Sequence, residues 1–134
     1  MSENLQLSLK TKWFEMTKSR DKTEDYRELN EYWFKRLVFD YEKVFSYCNG
    51  LKFKSISKEL REVYILKICI NKNKMFGFVP FNINTMTLGY PSKSDLSKIK
   101  VFEHAGIEIR EGREEWGAEK GKIYFVIKHG KRIS

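Results

Sequence analysis

Lys22-Thr23-Glu24-Asp25-Tyr26-Arg27-Glu28 is the stretch on which the fold reading turns: seven residues holding two cations, three acids, a hydroxyl and a phenol. In extended backbone the side chains alternate, so Thr23, Asp25, Arg27 and Leu29 share one face and Lys22, Glu24, Tyr26 and Glu28 the other. Leu29 and an apolar helix expected just before the segment turn the Thr23/Asp25/Arg27 face inward. An Asp and an Arg two residues apart on that face can pair, which makes their burial tolerable. Lys22, at the start of the strand, is placed to curl over the mouth of a barrel. The alternative is a solvated edge strand whose charges discourage sheet-to-sheet association.

Outward from this segment the pattern is mixed. Leu5, Leu7 and Leu9 alternate with polar residues, the period of a short strand. Trp13, Phe14 and Met16 sit at helical spacing within 11–19, and Arg20-Asp21 makes a turn into the charged strand, read over 22–29. Asn30 is a good N-cap for a helix through Trp33 to Val38. Asn49-Gly50, between 43–47 and 51–56, carries a strong hairpin signal. Residues 57–71 show both a helical stripe and β-branched residues, and predict a helix passing into a strand. Phe76 to Phe81 reads as an aromatic loop or edge segment, because Pro80 cannot donate to a central ladder. Further strands are expected over 85–88, 98–104, 107–110 and 123–128. Many short strands with few helices predict an α+β chain: a small β-barrel or sandwich decorated by short helices.

Composition bounds the function. A chain of 134 residues is about one domain, 1–134, large enough for a core of its own. Three Trp, seven Tyr and ten Phe argue against disorder. No apolar run approaches a membrane span, and the acidic start MSENLQLSLK is no signal peptide, so a cytoplasmic location is expected. Cys48 and Cys69 read as buried thiols. His104 and His129 are solitary in sequence and read as strand or surface residues; no metal site and no cofactor is expected. There is no phosphate-binding glycine loop, nucleophile elbow or zinc-protease helix. The net charge of +8 favours a polyanionic partner, nucleic acid before an anionic membrane. Charge is uneven: 63–100 has six lysines and one acid, 103–119 is acidic, and 120–134 is basic again.

Arg20-Asp21-Lys22-Thr23-Glu24-Asp25-Tyr26-Arg27 resembles the signature of the ASCH domain (activating-signal-cointegrator homology), Gly-x-Lys-x-x-Glu-x-Arg. Lys22 and Arg27 match, Asp25 stands where Glu is usual, and Arg20 stands where Gly is usual. Leu9 to Met16 and Glu31 to Leu37 are similar to the helices around the signature in phage-type members. Glu115-Trp116-Gly117-Ala118-Glu119-Lys120-Gly121, with the run to Ile127, is similar to their Trp-Gly-Ala-Glu-Pro-Gly turn and last strand. The likeness covers about residues 5–47 and 98–132, which leaves 51–97 as an apparent insertion.

The resemblance implies a PUA-like barrel whose cleft beside the signature binds RNA or a modified nucleoside, the expected partner here. Lys22, Asp25 and Arg27 would line that cleft. Trp13, Tyr26, Trp33 and Trp116 are the candidate stacking rings, with at least two of them expected in the core and Tyr26 and Trp116 expected at the ligand. One branch of the family hydrolyses acetylated cytidine with its signature Lys, a Thr and a later Glu, and other members are described as ribonucleases. The implied catalytic set here is Lys22 with Thr23 or Asp25, and Glu103, Glu108 or another acid as the Glu. Binding domain and small hydrolase therefore both stand as expectations, and a basic interaction protein docking an acidic partner is a third.

Overall fold

The computed structural model describes residues 4–71 and 77–134. It is a mixed α+β fold: a five-stranded sheet curled into a half-barrel, with four helices. β1 (Asn4–Leu9) leads through α1 (Thr11–Lys18) to β2 (Glu24–Arg27). Three helices follow, α2 (Glu31–Leu37), α3 (Tyr41–Asn49) and α4 (Lys58–Asn71), and then β3 (Ile83–Leu88), β4 (Ile99–Glu111) and β5 (Ile123–Arg132). The strand order is β1-β3-β4-β5-β2, with β1 and β3 parallel and the other neighbours antiparallel.

β1 and β2 are thus the two edges of the sheet. β4 runs unbroken where two strands were expected, and its register with β5 shifts on either side of His104. Such irregularities bend a strand and raise its twist, which suits a sheet that must curl.

The core forms where the alternation predicts it. Leu5, Leu7 and Leu9 are buried while Asn4 and Gln6 are exposed. They meet Phe14 of α1, Phe34 and Leu37 of α2, Phe45 of α3, and Ile65 and Ile68 of α4 in one cluster with Met86, Phe102, Phe125 and Ile127 of the sheet. Asn30 caps α2 as expected, its Oδ1 accepting from the Trp33 N–H at 3.0 Å.

Three expectations are corrected. Asn49-Gly50 turns no hairpin. Gly50, at φ 65°, ends helix α3 with its N–H bonded to Ser46 O at 2.8 Å. The left-handed backbone that suits Gly in a hairpin turn suits it equally at a helix C-terminus. Residues 58–71 are helix throughout, because Ile65, Ile68 and Cys69 at i, i+3 and i+4 face the core. The β-branched residues that gave the strand signal divide between two sides of the helix: Ile65 and Ile68 are buried, while Val63 and Ile70 are exposed. Nor is 51–97 an appendage: β3 sits between β1 and β4, and α4 supplies core residues. Of the aromatic segment, Phe76 lies outside the described residues, while Phe78 bridges Val38 and Val79 N donates to Leu37 O at 2.8 Å. Cys69 is buried and Cys48 only half-buried.

The turn from α1 to β2 is held in an unusual way. Arg20 has φ 71°, the left-handed region that glycine occupies freely and other residues enter at a cost of ~1–2 kcal/mol. Its guanidinium compensates by donating from Nη1 to Gly130 O and lying 5.5 Å from the Phe102 ring centroid. Arg20→Ala and Arg20→Gly both lose those contacts, but only Ala keeps the strain. In urea denaturation the Ala variant is expected to be about 1 kcal/mol less stable than the Gly variant. Equal stabilities would show that the turn is unstrained.

Candidate functional site

The charged segment is buried rather than solvated. Lys22, Glu24 and Asp25 are 2%, 7% and 5% exposed. The strand proper begins only at Glu24, so Lys22 lies in the preceding turn, where its N–H bonds Met16 O at the end of α1. From there its side chain curls inward. Lys22 Nζ donates to Glu24 O at 2.7 Å and to Asp25 Oδ1 at 3.0 Å. The other Asp25 oxygen takes Arg27 Nε at 2.6 Å, and Arg27 Nη2 reaches the opposite sheet edge to donate to Ser8 O at 3.1 Å. The guanidinium of Arg27 also lies 5.0 Å from the Trp33 ring centroid.

Burial alone would raise the Asp25 carboxyl. The charges of Arg27 and Lys22 outweigh it and hold the group below the usual carboxylate range. Asp25 is therefore an anion held between two cations.

Glu24 and Tyr26, on the other side of β2, fasten the acidic loop. Arg110 Nη2 contacts Glu24 Oε2 at 2.6 Å, and Tyr26 donates to Glu24 Oε1 at 2.7 Å. Burial pushes Glu24 upward, but the hydrogen bonds from Arg110 and Tyr26 and the charge of Arg110 hold it low. The Tyr26 oxygen also accepts from the Arg113 N–H at 2.9 Å, which anchors the loop carrying Trp116. Gly117, at φ 99°, lets that loop press on α1: a Cβ there would lie 2.9 Å from Trp13 Cζ2.

These contacts leave a cleft of about 350 Å³ beside the signature. Lys22, Asp25 and Arg27 line it together with Trp13, Tyr26, Trp116 and Tyr124. All of Trp13, Tyr26, Trp33 and Trp116 are half-buried. Trp13 and Trp33 pack against the main core, Tyr26 packs against a small cluster of Ala118, Tyr124 and Val126, and Trp116 joins neither. Trp33 belongs to a neighbouring groove instead.

Other expected members are not brought in. Thr23 does not line the cleft, and its carbonyl accepts from His129 N. Glu103 is exposed, and Glu108 is engaged by Arg110 and Lys128. The carboxylates at the cleft are Asp25, Glu28 and Glu119. Glu119 was within reach of the sequence, three residues after Trp116 in the same turn.

Behind the cleft lies a polar group the sequence did not signal. Asn84 of β3, fully buried, joins the two histidines that are 25 positions apart in the chain. Asn84 Nδ2 approaches Lys128 O at 3.1 Å and His129 Nδ1 at 2.8 Å, while Asn84 Oδ1 meets His104 Nδ1 at 2.7 Å. A backbone carbonyl only accepts, so the amide nitrogen must face Lys128 O. His129 Nδ1 is then an acceptor, and its proton sits on Nε2, a buried atom with no partner among the described residues. His104 carries its proton on Nδ1. A polar residue in the middle of a strand pattern is the single trace Asn84 leaves in the sequence.

Among the described residues no cluster of three or more His, Cys, Asp or Glu is arranged to hold a metal ion, and no helix is long and apolar enough to cross a membrane. No family model, no curated protein and no solved structure matches the chain.

Burial pushes His129 down to about 4, against the opposing charge of Asp25. Unfolded, it titrates near 6.5, so between pH ~6.5 and ~4 the unfolded chain binds more protons and stability falls as pH falls, by about 3 kcal/mol across the window. His104, also lowered by burial and by Lys128, adds in the same direction. Asp25 and Glu24 contribute separately, losing their stabilisation below the ordinary carboxylate range. His129→Gln is expected to flatten most of the slope between pH 6.5 and 4.5 in urea titrations; an unchanged slope would show that His129 is not the buried neutral group.

Proposed function

We propose that this chain is an ASCH-type, PUA-like domain that binds RNA or a modified nucleoside in the cleft around Lys22, Asp25 and Arg27. The observation that carries the reading is the meeting of that buried, charge-paired cluster with Trp13, Tyr26 and Trp116 in one cleft. Positive φ at Arg20, the position where the family signature has Gly, supports it, because the turn demands the backbone that glycine provides. The net charge of +8 suits a polyanionic ligand.

A base edge needs both kinds of partner. The Asp25 carboxylate accepts, and so can receive an exocyclic amine or a ring N–H such as that of uracil. Lys22 spends two of its three N–H groups on Glu24 O and Asp25, which leaves one for a ring nitrogen or carbonyl. The rings supply a stacking surface, worth ~1–3 kcal/mol per base.

A small hydrolase is the second reading, favoured by the presence of Lys22 and the Glu119 carboxylate in the same cleft. The ion pair with Asp25 argues against it, because an ammonium held by a carboxylate has no lone pair to take a proton. Incubation with acetylcytidine and with RNA decides between the two: turnover by the unaltered chain, lost in a Lys22→Met variant that circular dichroism shows to be folded, would establish the hydrolase.

Trp116, outside both core clusters, gives the cleaner test of binding, since removing Lys22 leaves Asp25 with one cation fewer in a buried site. Trp116→Ala is expected to weaken nucleoside or RNA binding by roughly tenfold, measured by fluorescence titration or calorimetry, with the melting temperature little changed. Undiminished binding would remove Trp116 and the cleft from the assignment.

A further inference from the structure

A second, larger groove of about 590 Å³ adjoins the cleft, and the two share Ser8 and Arg27 as lining. Arg27 is the partition. Its Nε holds Asp25 at the cleft, its Nη2 holds Ser8 O, and its guanidinium lies near Trp33 in the groove.

The two spaces differ in charge. The cleft is balanced, with Lys10, Lys22 and Arg27 against Asp25, Glu28 and Glu119. The groove has Arg27, Arg36 and Lys93 and no carboxylate in its lining. Neither Arg36 nor Lys93 makes an ion pair among the described residues. The groove also presents uncovered rings: Tyr32 is 64% and Tyr90 95% exposed, and Tyr32 meets Trp33 edge-on at 4.9 Å. Unpaired cations interleaved with open aromatic faces are what a single-stranded nucleic acid requires, the cations for phosphates and the rings for bases.

We infer that this groove holds the phosphates and flanking bases of a single-stranded RNA whose target base enters the cleft, the strand crossing over Arg27. The inference rests on the cleft reading above and extends it: the ligand is an oligonucleotide, and the groove supplies the salt-sensitive part of its affinity. An acidic peptide would satisfy the cations but leave the exposed rings unused.

The test compares two probes, a single-stranded oligouridylate of about ten nucleotides and free uridine, on the full chain. Arg36→Ala/Lys93→Ala removes only exposed side chains. It is expected to weaken oligouridylate binding about tenfold or more and to reduce the slope of log affinity against log salt by ~0.7 per cation lost, leaving uridine binding unchanged. Tyr90→Ser is expected to weaken the oligonucleotide alone, about fivefold or more. Unchanged oligouridylate affinity and salt slope in the double variant would overturn the groove assignment. So would oligoglutamate binding as tightly as the RNA, or equal losses for RNA and uridine. Should Trp116→Ala leave both probes bound as before while the double variant weakens the RNA, the cleft reading falls and the groove remains an RNA site.

Discussion

Asp25 carries one cation on each carboxylate oxygen, and much of the molecule depends on that division. Lys22 reaches it from the turn after α1, and Arg27 reaches it from β2 and continues to Ser8 of β1. β1 and β2 are the two outer strands of the sheet, so a single buried anion ties the helix, one edge and the other edge together. Losing one partner of such a cluster leaves a charge uncompensated in a dry site, at a cost of ~3–5 kcal/mol. The half-barrel is thus curled by an electrostatic link across its open side as well as by the irregular register of β4.

The same link generates the cleft. A carboxylate that holds two cations fixes where both point, and the rings of Trp13, Tyr26 and Trp116 then have something polar to face. Tyr26 acts twice: its ring borders the cleft, and its hydroxyl joins Glu24 to the Arg113 backbone and so fixes the Trp116 loop. Close packing of Gly117 on Trp13 completes the contact from the other side. Asn84 performs the comparable task deeper in the sheet, where it hydrogen-bonds two histidines whose charged forms burial disfavours.

Local readings held where one physical cause governed the outcome. The leucine alternation in β1, the Asn30 cap and the Asp25–Arg27 pairing each follow from nearest-neighbour geometry, and each is present. Readings failed where one residue type serves two purposes. Gly50 could end a helix or turn a hairpin, and only the burial of Val44 and Phe45 against the core selects the helix. Residues 58–71 carry apolar side chains on more than one side, so periodicity alone did not separate helix from strand; the packed face around Ile65 did. The interval 51–97 looked like an addition because nothing in its composition shows that β3 fills the sheet between β1 and β4.

By itself the sequence determined the mixed α+β class of the fold and the pairing of Asp25 with Arg27, because these depend on alternation and on residues two apart. It left open whether the charged strand is buried, and residues from both of its faces are, Glu24 as well as Asp25. It also determined that the chain is basic and rich in aromatic residues. Only the tertiary structure decided that Lys22 is buried rather than poised at a rim, that Trp116 and not Trp33 shares its cleft, and that Glu119 rather than Glu103 or Glu108 stands nearby. It alone brought His104 and His129 to Asn84 and separated a balanced cleft from a basic groove. Each of these depends on strands distant in sequence lying side by side, and strand order is set by the packing of the whole sheet and its helices rather than by any local run of residues.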